Sequence, residues 1–320
     1  MGNRIYTVTL NPAWDRTATV ARLVPGGTNL LRELRADAGG KGINVSRVLH
    51  TFGKETTALG LLGTGAGDSL LARLQDEGIC CDFVRLEQDC RTNTKIVDAS
   101  AGVTTEFNEP GPHVPQAARK MLEDQLRQLP QGAVAVFAGS LPPGVPADWY
   151  ARAAELCRAA GVRVVLDASG AGLKNGLSGG PVIIKPNRDE LEALCGCALD
   201  GTEQLLAAAR RLLNDRTRLA AVSLGAQGAL FATATRAVLA TPPKLQAKST
   251  VGAGDTMTAV LADWLAGRQE TDTLTDGQLC DLAALAVAAA SAKVLREGTQ
   301  PPCAEEITAI GAQVCCEMVG

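Results

Sequence analysis

The sequence predicts an α/β protein built on a mostly parallel sheet covered by helices on both faces, and three observations carry that reading. Ala133-Val-Ala-Val-Phe-Ala138 is apolar throughout, as a strand buried on both faces must be. The same unit returns at Val162 to Leu166, after the helical stretch Ala147 to Ala160. Upstream, strand Thr56 to Leu62, helix Ser69 to Glu77 and strand Cys81 to Leu86 alternate in the β-α-β sense.

The chain opens on Met1 to Leu10, which alternates like a strand and has no long apolar core of an export signal. In Thr9-Leu-Asn-Pro-Ala-Trp-Asp15 the Asn-Pro step breaks the ladder, which puts Asp15 just past a strand's carboxyl end, where open α/β sheets bind ligands. Thr17 to Val24 and Asn29 to Ala36 flank Pro25-Gly-Gly27 as a hairpin-like excursion. Gly39, Gly40 and Gly42 surround Lys41 ahead of a helix with Ile43, Val48, Leu49 and Phe52 on one side, so backbone and lysine can approach an anionic or hydroxylated ligand. Walker A spacing is absent there.

Arg91 to Asp98 and Val103 to Phe107 form a polar two-stranded ribbon, too small for a core of its own and suited to be the other half of a lid or a dimer surface. A helix from Pro115 to Leu129 precedes the central apolar strand, and Gly139-Ser-Leu-Pro-Pro-Gly144 follows it. Strand Val182-Ile-Ile184 leads into Lys185-Pro-Asn-Arg-Asp-Glu190, which sets a cation, an amide and a carboxylate on one rim. Lysine there suits nucleotide phosphates. Asn187 with Glu190 suits hydrated magnesium, and Asn187 equally suits a helix cap. Strand Leu219 to Leu224 runs into a glycine turn, and helices Leu279 to Arg296 and Ala304 to Cys315 close the chain.

Net charge of −3 with 3% aromatic residues gives neither a basic field nor stacking platforms for nucleic acid. At 320 residues, 46% hydrophobic, the chain fits one soluble domain with an appendage. Leu279 to Leu295 is alanine-rich, interrupted by Asp281 and Lys293, and reads as a buried helix, not a membrane span. Ten cysteines without a CxxC pair, beside two histidines, read as reduced structural thiols of a cytosolic protein and speak against zinc.

The densest chemistry lies at Lys248-Ser-Thr-Val-Gly-Ala-Gly-Asp-Thr-Met257. Gly252, Ala253 and Gly254 precede a helix with Met257, Val260, Leu261 and Leu265 at helical spacing, so its unpaired N–H groups and dipole suit a phosphate. A carboxylate beside a bound phosphoryl group can serve as base toward an attacking hydroxyl. The same residues also suit a plain N-cap and a tight turn, and the stretch alone does not choose. Gly-Ala-Gly-Asp also occurs at Gly65 to Asp68, where it imitates a dinucleotide fingerprint whose third glycine is replaced by Asp68.

Taken together, Thr9 to Asp15, Gly39-Gly-Lys-Gly-Ile-Asn-Val45, Gly139 to Gly144, Lys185 to Glu190 and Val251-Gly-Ala-Gly-Asp-Thr256 resemble, in order and over essentially the whole chain, the ribokinase-like phosphofructokinase B family of sugar kinases. They are most similar to its hexose-phosphate branch, the 1-phosphofructokinases and tagatose-6-phosphate kinases. The resemblance implies a three-layer α/β/α ribokinase-like fold over residues 1–320, with β lid segments near 12–36 and 90–110 that pair across a homodimer. It implies an ATP- and magnesium-dependent kinase of a ketohexose phosphate, favouring fructose 1-phosphate, with tagatose 6-phosphate and fructose 6-phosphate as alternatives. A non-catalytic sugar-phosphate sensor is the reading from another class, and an NAD-dependent dehydrogenase is disfavoured by Asp68.

By the same resemblance Asp15 and Asn44 meet sugar hydroxyls, and Gly39, Gly40, Lys41, Arg91 and Ser140 line the sugar-phosphate side. Lys185, Ser223, Gly225 and Gly228 contact nucleotide, Asn187 and Glu190 organise magnesium, and Gly252, Ala253 and Gly254 form an anion hole with Asp255 as base. Many relatives carry Asp before Thr-x-Gly-Ala-Gly-Asp where this chain has Ser249, so a monovalent-cation site of the kind relatives build is left without that support.

Overall fold

Strands buried on both faces can only be covered by helices on both sides, and the chain folds accordingly. The computed structural model describes residues 4–268 and 274–320, so Met1 to Asn3 of the expected opening strand lie outside the described residues. The first half runs β1 (Ile5–Thr9), β2 (Ala13–Val20), β3 (Leu31–Gly39), α1 (Lys41–Thr51), β4 (Thr56–Thr64), α2 (Ala66–Asp76), β5 (Cys80–Asp89), β6 (Arg91–Asp98), β7 (Val103–Asn108) and α3 (Gln116–Arg127). There follow β8 (Val134–Gly139), α4 (Trp149–Ala159), β9 (Arg163–Ala168), α5 (Gly170–Gly176), β10 (Ile183–Ile184), α6 (Arg188–Cys195) and α7 (Gly201–Arg211). The chain closes with β11 (Leu219–Ser223), β12 (Ala229–Ala232), β13 (Ala237–Thr241), α8 (Ala253–Ala266), α9 (Asp276–Val294), α10 (Ala304–Gly311) and β14 (Cys315–Met318).

The main sheet has the order β14-β13-β12-β11-β10-β9-β8-β1-β4-β5. It is parallel from β5 to β11 and antiparallel through β12, β13 and β14. Along β8 the side chains alternate between two cores. Val134 and Val136 pack with Met257 of α8 and Leu282 of α9, while Ala135 and Phe137 pack with Leu122 of α3 and Trp149 of α4. This is the expected three-layer α/β/α arrangement. From β1 the strand order grows one way through β4 and β5 and the other way through β8 to β11. That reversal opens a crevice at the strands' carboxyl ends, where α/β sheets bind ligands.

A second sheet, β3-β2-β6-β7, stands apart from the first. Its two expected halves meet through a parallel pairing of β2 with β6, Asp15 opposite Asn93. Asp15 therefore lies inside β2 and not just past a strand end, because the chain resumes a ladder at Ala13, directly after the Asn-Pro break. Register sorts this sheet into a polar face with Asp15, Asp37, Asn93 and Lys95 and an apolar face with Leu31, Leu34, Ile96, Val103 and Phe107.

Three further boundaries differ from the sequence reading. The last helix stops at Gly311, once Ile307 and Ile310 are buried, and Cys315–Met318 instead pair with the open edge of β13. Helix α2 starts at Ala66, with Asp68 accepting from the Gly65 N–H, and so absorbs the first Gly-Ala-Gly-Asp copy. Helix α9 starts at Asp276, where Thr275 and Gln278 close a capping box. Length and composition alone would let α9 cross a membrane, but 56% of its most apolar stretch is buried, and it packs on α8, α10 and β13 as the core helix expected.

Candidate active site

Gly252 takes φ 82°, a left-handed turn that suits glycine, and ends the approach to α8. The Thr256 N–H closes the first helical bond onto the Gly252 carbonyl at 2.9 Å, and the Ala253 N–H turns back to Thr250 O at 3.3 Å. The N–H groups of Gly252, Gly254 and Asp255 have no partner among the described residues, so these donors are free to meet an anion, whereas the Ala253 N–H is taken up by the turn. A Cβ built on Gly254 would lie 3.2 Å from Lys185 Nζ, which leaves the ammonium beside the same turn.

Asp255 is buried at 6% exposure, and its Oδ2 accepts from Asn44 Nδ2 at 2.7 Å. Burial, then the nearby Asp167, pushes its carboxyl up to about 6, against the pull of Lys41, Asn44 and Lys185. Asp167, fully buried at the end of β9, holds both lysines: Lys41 Nζ at 2.9 Å and Lys185 Nζ at 3.3 Å from the same oxygen. Its other oxygen accepts from Thr258 Oγ1 at 2.8 Å. Burial alone would raise Asp167, but Lys185 and Lys41 overcome it and hold the carboxyl below the usual range. Lys41, although burial opposes its charge, is held firmly protonated by Asp167 and Asp255. Two carboxylates and two ammonium groups thus balance at the crevice floor.

A second cluster adjoins the first. Asn93 Nδ2 donates to Asp15 Oδ1 at 2.8 Å, with Gly39 packed against that carboxylate. Arg91 donates to the carbonyls of Asn11, at 3.0 and 3.2 Å, and Glu109, at 3.0 Å, so its guanidinium ties the start of β2 to the end of the ribbon. Asn11 Nδ2 in turn donates to Ser140 Oγ at 3.2 Å. The side-chain oxygens of Asn11, Asn44 and Asn93 are buried without a hydrogen-bond partner among the described residues. Buried acceptors of this kind need a donor, and a polyol supplies several.

Asn187 and Glu190 cap each other: Glu190 N–H donates to Asn187 Oδ1 at 2.7 Å, and Asn187 N–H to Glu190 Oε2 at 2.9 Å. Asn187 bridges Ser223 in parallel, and Gly225 lies on an exposed turn with Gly228 at its exit. The two Gly-Ala-Gly-Asp copies part company here. Asp68 is exposed, paired with Arg85 and its own helix start, whereas Asp255 lies at the crevice floor. Sequence reasoning passed over Asp167, Asn11 and Asn93. Each is a short polar residue at or near a strand end, which alone cannot be told from a turn former. A cavity of about 550 Å³ opens at the opposite end of the strands, lined by Arg163, Arg236 and Trp264 among others, and holds none of these residues.

An α/β sheet with its crevice at a strand reversal, and a buried carboxylate at a helix start with free N–H groups, is an arrangement suited to phosphoryl transfer, and the class it fits is that of the sugar kinases. A family model described as pfkB family carbohydrate kinase matches residues 8–307, and the chain belongs to that family, which makes it an ATP-dependent sugar kinase. It is 42% identical to a 1-phosphofructokinase of Xanthomonas campestris pv. campestris, over 82% of this chain and 84% of that one. It is 31% identical to ATP-dependent 6-phosphofructokinase isozyme 2 of Escherichia coli, over 93% and 94%. Phosphofructokinase-2 from Escherichia coli in complex with potassium superposes with a TM-score of 0.89 at 30% identity, over 98% of this chain and 99% of that one.

Proposed function

We propose that the chain transfers the terminal phosphoryl group of ATP to a hydroxyl of fructose 1-phosphate, giving fructose 1,6-bisphosphate, with Asp255 as general base. The observation that carries this reading is Asp255 itself: a buried carboxylate with a raised pKa, two residues into a helix whose free N–H groups can hold the transferring phosphoryl group. The sugar hydroxyl gives its proton to Asp255, its oxygen bonds to phosphorus, and ADP leaves. Asp15, Asn11, Asn44 and Asn93 offer acceptors for the sugar hydroxyls. Lys41, Arg91, Ser140 and the backbone at Gly39 and Gly40 serve the phosphate already on the sugar. Lys185 serves the nucleotide phosphates, with Ser223, Gly225 and Gly228 on the nucleotide's side of the crevice.

The Xanthomonas relative's name favours fructose 1-phosphate; the Escherichia coli relative's name supports fructose 6-phosphate as the second reading, with tagatose 6-phosphate from the family resemblance as the third. The presence of Asp255 argues against a non-catalytic sensor. Rates with the three ketohexose phosphates, unphosphorylated fructose and ribose decide among these, read as kcat/KM. Fructose 1-phosphate should lead, and a preference for a neutral sugar would overturn this assignment.

Magnesium fits the residues present. Glu190 keeps Oε1 outside its capping bond, and among the described residues no group of three His, Cys, Asp or Glu forms a protein cage. That donor set suits an ion held mainly by phosphates and water, with Asn187 and Glu190 nearby. Bound there, magnesium would neutralise phosphate charge. A monovalent cation does not fit in the same way. Ser249 turns its Oγ to the Val251 N–H at 3.3 Å and offers no carboxylate, while a buried ammonium already lies behind Gly252.

The small sheet supports two further readings. Its polar face turns Asp15 and Asn93 toward the crevice, as a lid over the sugar would. On its opposite face Leu31, Leu34, Val103 and Phe107 are each at least half exposed, a patch suited to a second copy of this chain. Sedimentation of Leu34→Glu with Phe107→Glu against the parent tests this: a dimer that becomes a monomer supports it, and an unchanged mass contradicts it.

A further inference from the structure

Lys293 lies inside α9 at 1% exposure, and its Nζ donates to the carbonyl of Gly298 at 2.7 Å. Its stem runs behind the anion-binding turn, since a Cβ built on Gly252 would lie 3.3 Å from Lys293 Cε. The two loops that enclose it are joined by backbone. Val294 O accepts from the N–H groups of Lys248, at 2.7 Å, and Ser249, at 3.2 Å. From the other side Arg47 Nη1 donates to Thr299 Oγ1 at 2.9 Å, and Arg35 packs against Gly298. The charged groups that face the ammonium are Arg35 and Asp37 on β3, Arg47 on α1 and Asp255 on α8.

A buried charge is costly unless the surroundings use it. Here it meets one carbonyl and stands behind the helix start where negative charge collects during phosphoryl transfer. Arg35 and Arg47 are already paired, with Asp37 at 2.8 Å and Glu77 at 2.6 Å, so the charge a free metal cation would meet here is the ammonium itself, on the same carbonyl, and like charges repel strongly at low dielectric.

We infer that Lys293 is the resident cation of the α8 helix start, a positioning residue whose ammonium is held on the Gly298 carbonyl while its stem packs behind the Gly252 turn, and that it makes a bound monovalent cation unnecessary. The inference rests on the kinase reading above. It separates this chain from a relative whose solved structure contains potassium, and it accounts for a helix start that works with Ser249 in place of a carboxylate.

The test compares activity and thermal midpoint in sodium, potassium, ammonium and tetramethylammonium chloride at equal ionic strength. The parent protein is expected to show the same kcat and midpoint in all four. Lys293→Ala is expected to lose about tenfold or more in kcat with both KM values nearly unchanged. Potassium or ammonium, but not tetramethylammonium, should then restore part of the rate and raise the midpoint, because a small cation can enter beside Gly298 O. A parent enzyme that requires potassium overturns the inference. So does Lys293→Ala with full kcat, or with a loss that no cation repairs. Should Lys293→Ala fail to fold, the parent's four-salt comparison still decides, and Lys293→Arg with added potassium serves as the second variant, expected to be indifferent to it. A parent inactive on every sugar phosphate would defeat the kinase reading, while the salt dependence of its midpoint would still test Lys293.

Discussion

Asn44 Nδ2 and Asp255 Oδ2 are 2.7 Å apart, across 211 residues of chain, and this bond joins the first glycine-rich helix start to the last. It orients the carboxylate while leaving Asn44 Oδ1 without a partner. The bond holds the base in place and favours its charged form, while burial and the nearby Asp167 make it costly to ionise.

That cost sets both pH dependence and stability. A base with pKa about 6 should give a kcat/KM that falls about tenfold per pH unit below 6 and is flat just above it. Because the folded value lies above the ordinary 3.8, the stabilising contribution is present below pH 3.8 and is lost as pH rises through 6. At pH 8 Asp255→Asn should therefore raise stability, by on the order of 1–3 kcal/mol, measured by denaturant or thermal unfolding. A large destabilisation would contradict it.

Asp167→Asn removes the shared counter-charge of Lys41 and Lys185 and leaves Lys185, at 3% exposure, without its ion-pair partner. Breaking a buried pair from one side costs about 3–5 kcal/mol. Steady-state kinetics should show KM rising for both ATP and the sugar phosphate, with a lowered thermal midpoint. A change in only one KM would mean that Asp167 organises one substrate side and not both.

Arg91→Ala should raise KM for the sugar phosphate strongly and leave KM for ATP almost unchanged, since a charge-assisted contact to one substrate is lost. Its bonds to Asn11 and Glu109 add a structural part, so Arg91→Lys is the control: it keeps charge and loses the fork. Equal rises in both KM values would reduce Arg91 to a clamp of the small sheet.

Glu190→Gln keeps a group able to accept the Asn187 N–H but removes charge from the rim. A magnesium titration at saturating ATP should shift to higher concentration with lower kcat. An unchanged curve would leave Glu190 as a helix cap alone.

Much of this was legible in the sequence. The unbroken apolarity of Ala133 to Ala138 can only be a strand covered on both faces, and the glycines around Lys41 and before Asp255 announce helix starts open to ligands. Contacts over long sequence separation were not legible. Asp167 looks like any acid ending a strand until β9 brings it under two lysines from β3–α1 and β10–α6. Lys293 interrupts a helix that reads as buried, but its partner, the Gly298 carbonyl in the loop beyond the helix, shows only in the packing. Cys315–Met318 carry no strand pattern of their own, and the free edge of β13 makes them one.

The central claim, that Asp255 takes the proton from the attacking hydroxyl, is tested most directly by ADP release from Asp255→Asn beside Asp68→Asn, with ligand binding measured by calorimetry. Asp255→Asn should still bind sugar phosphate and ATP but turn over about 10²–10⁴-fold more slowly or worse, while Asp68→Asn keeps most activity. An active Asp255→Asn beside an inactive Asp68→Asn would contradict the account.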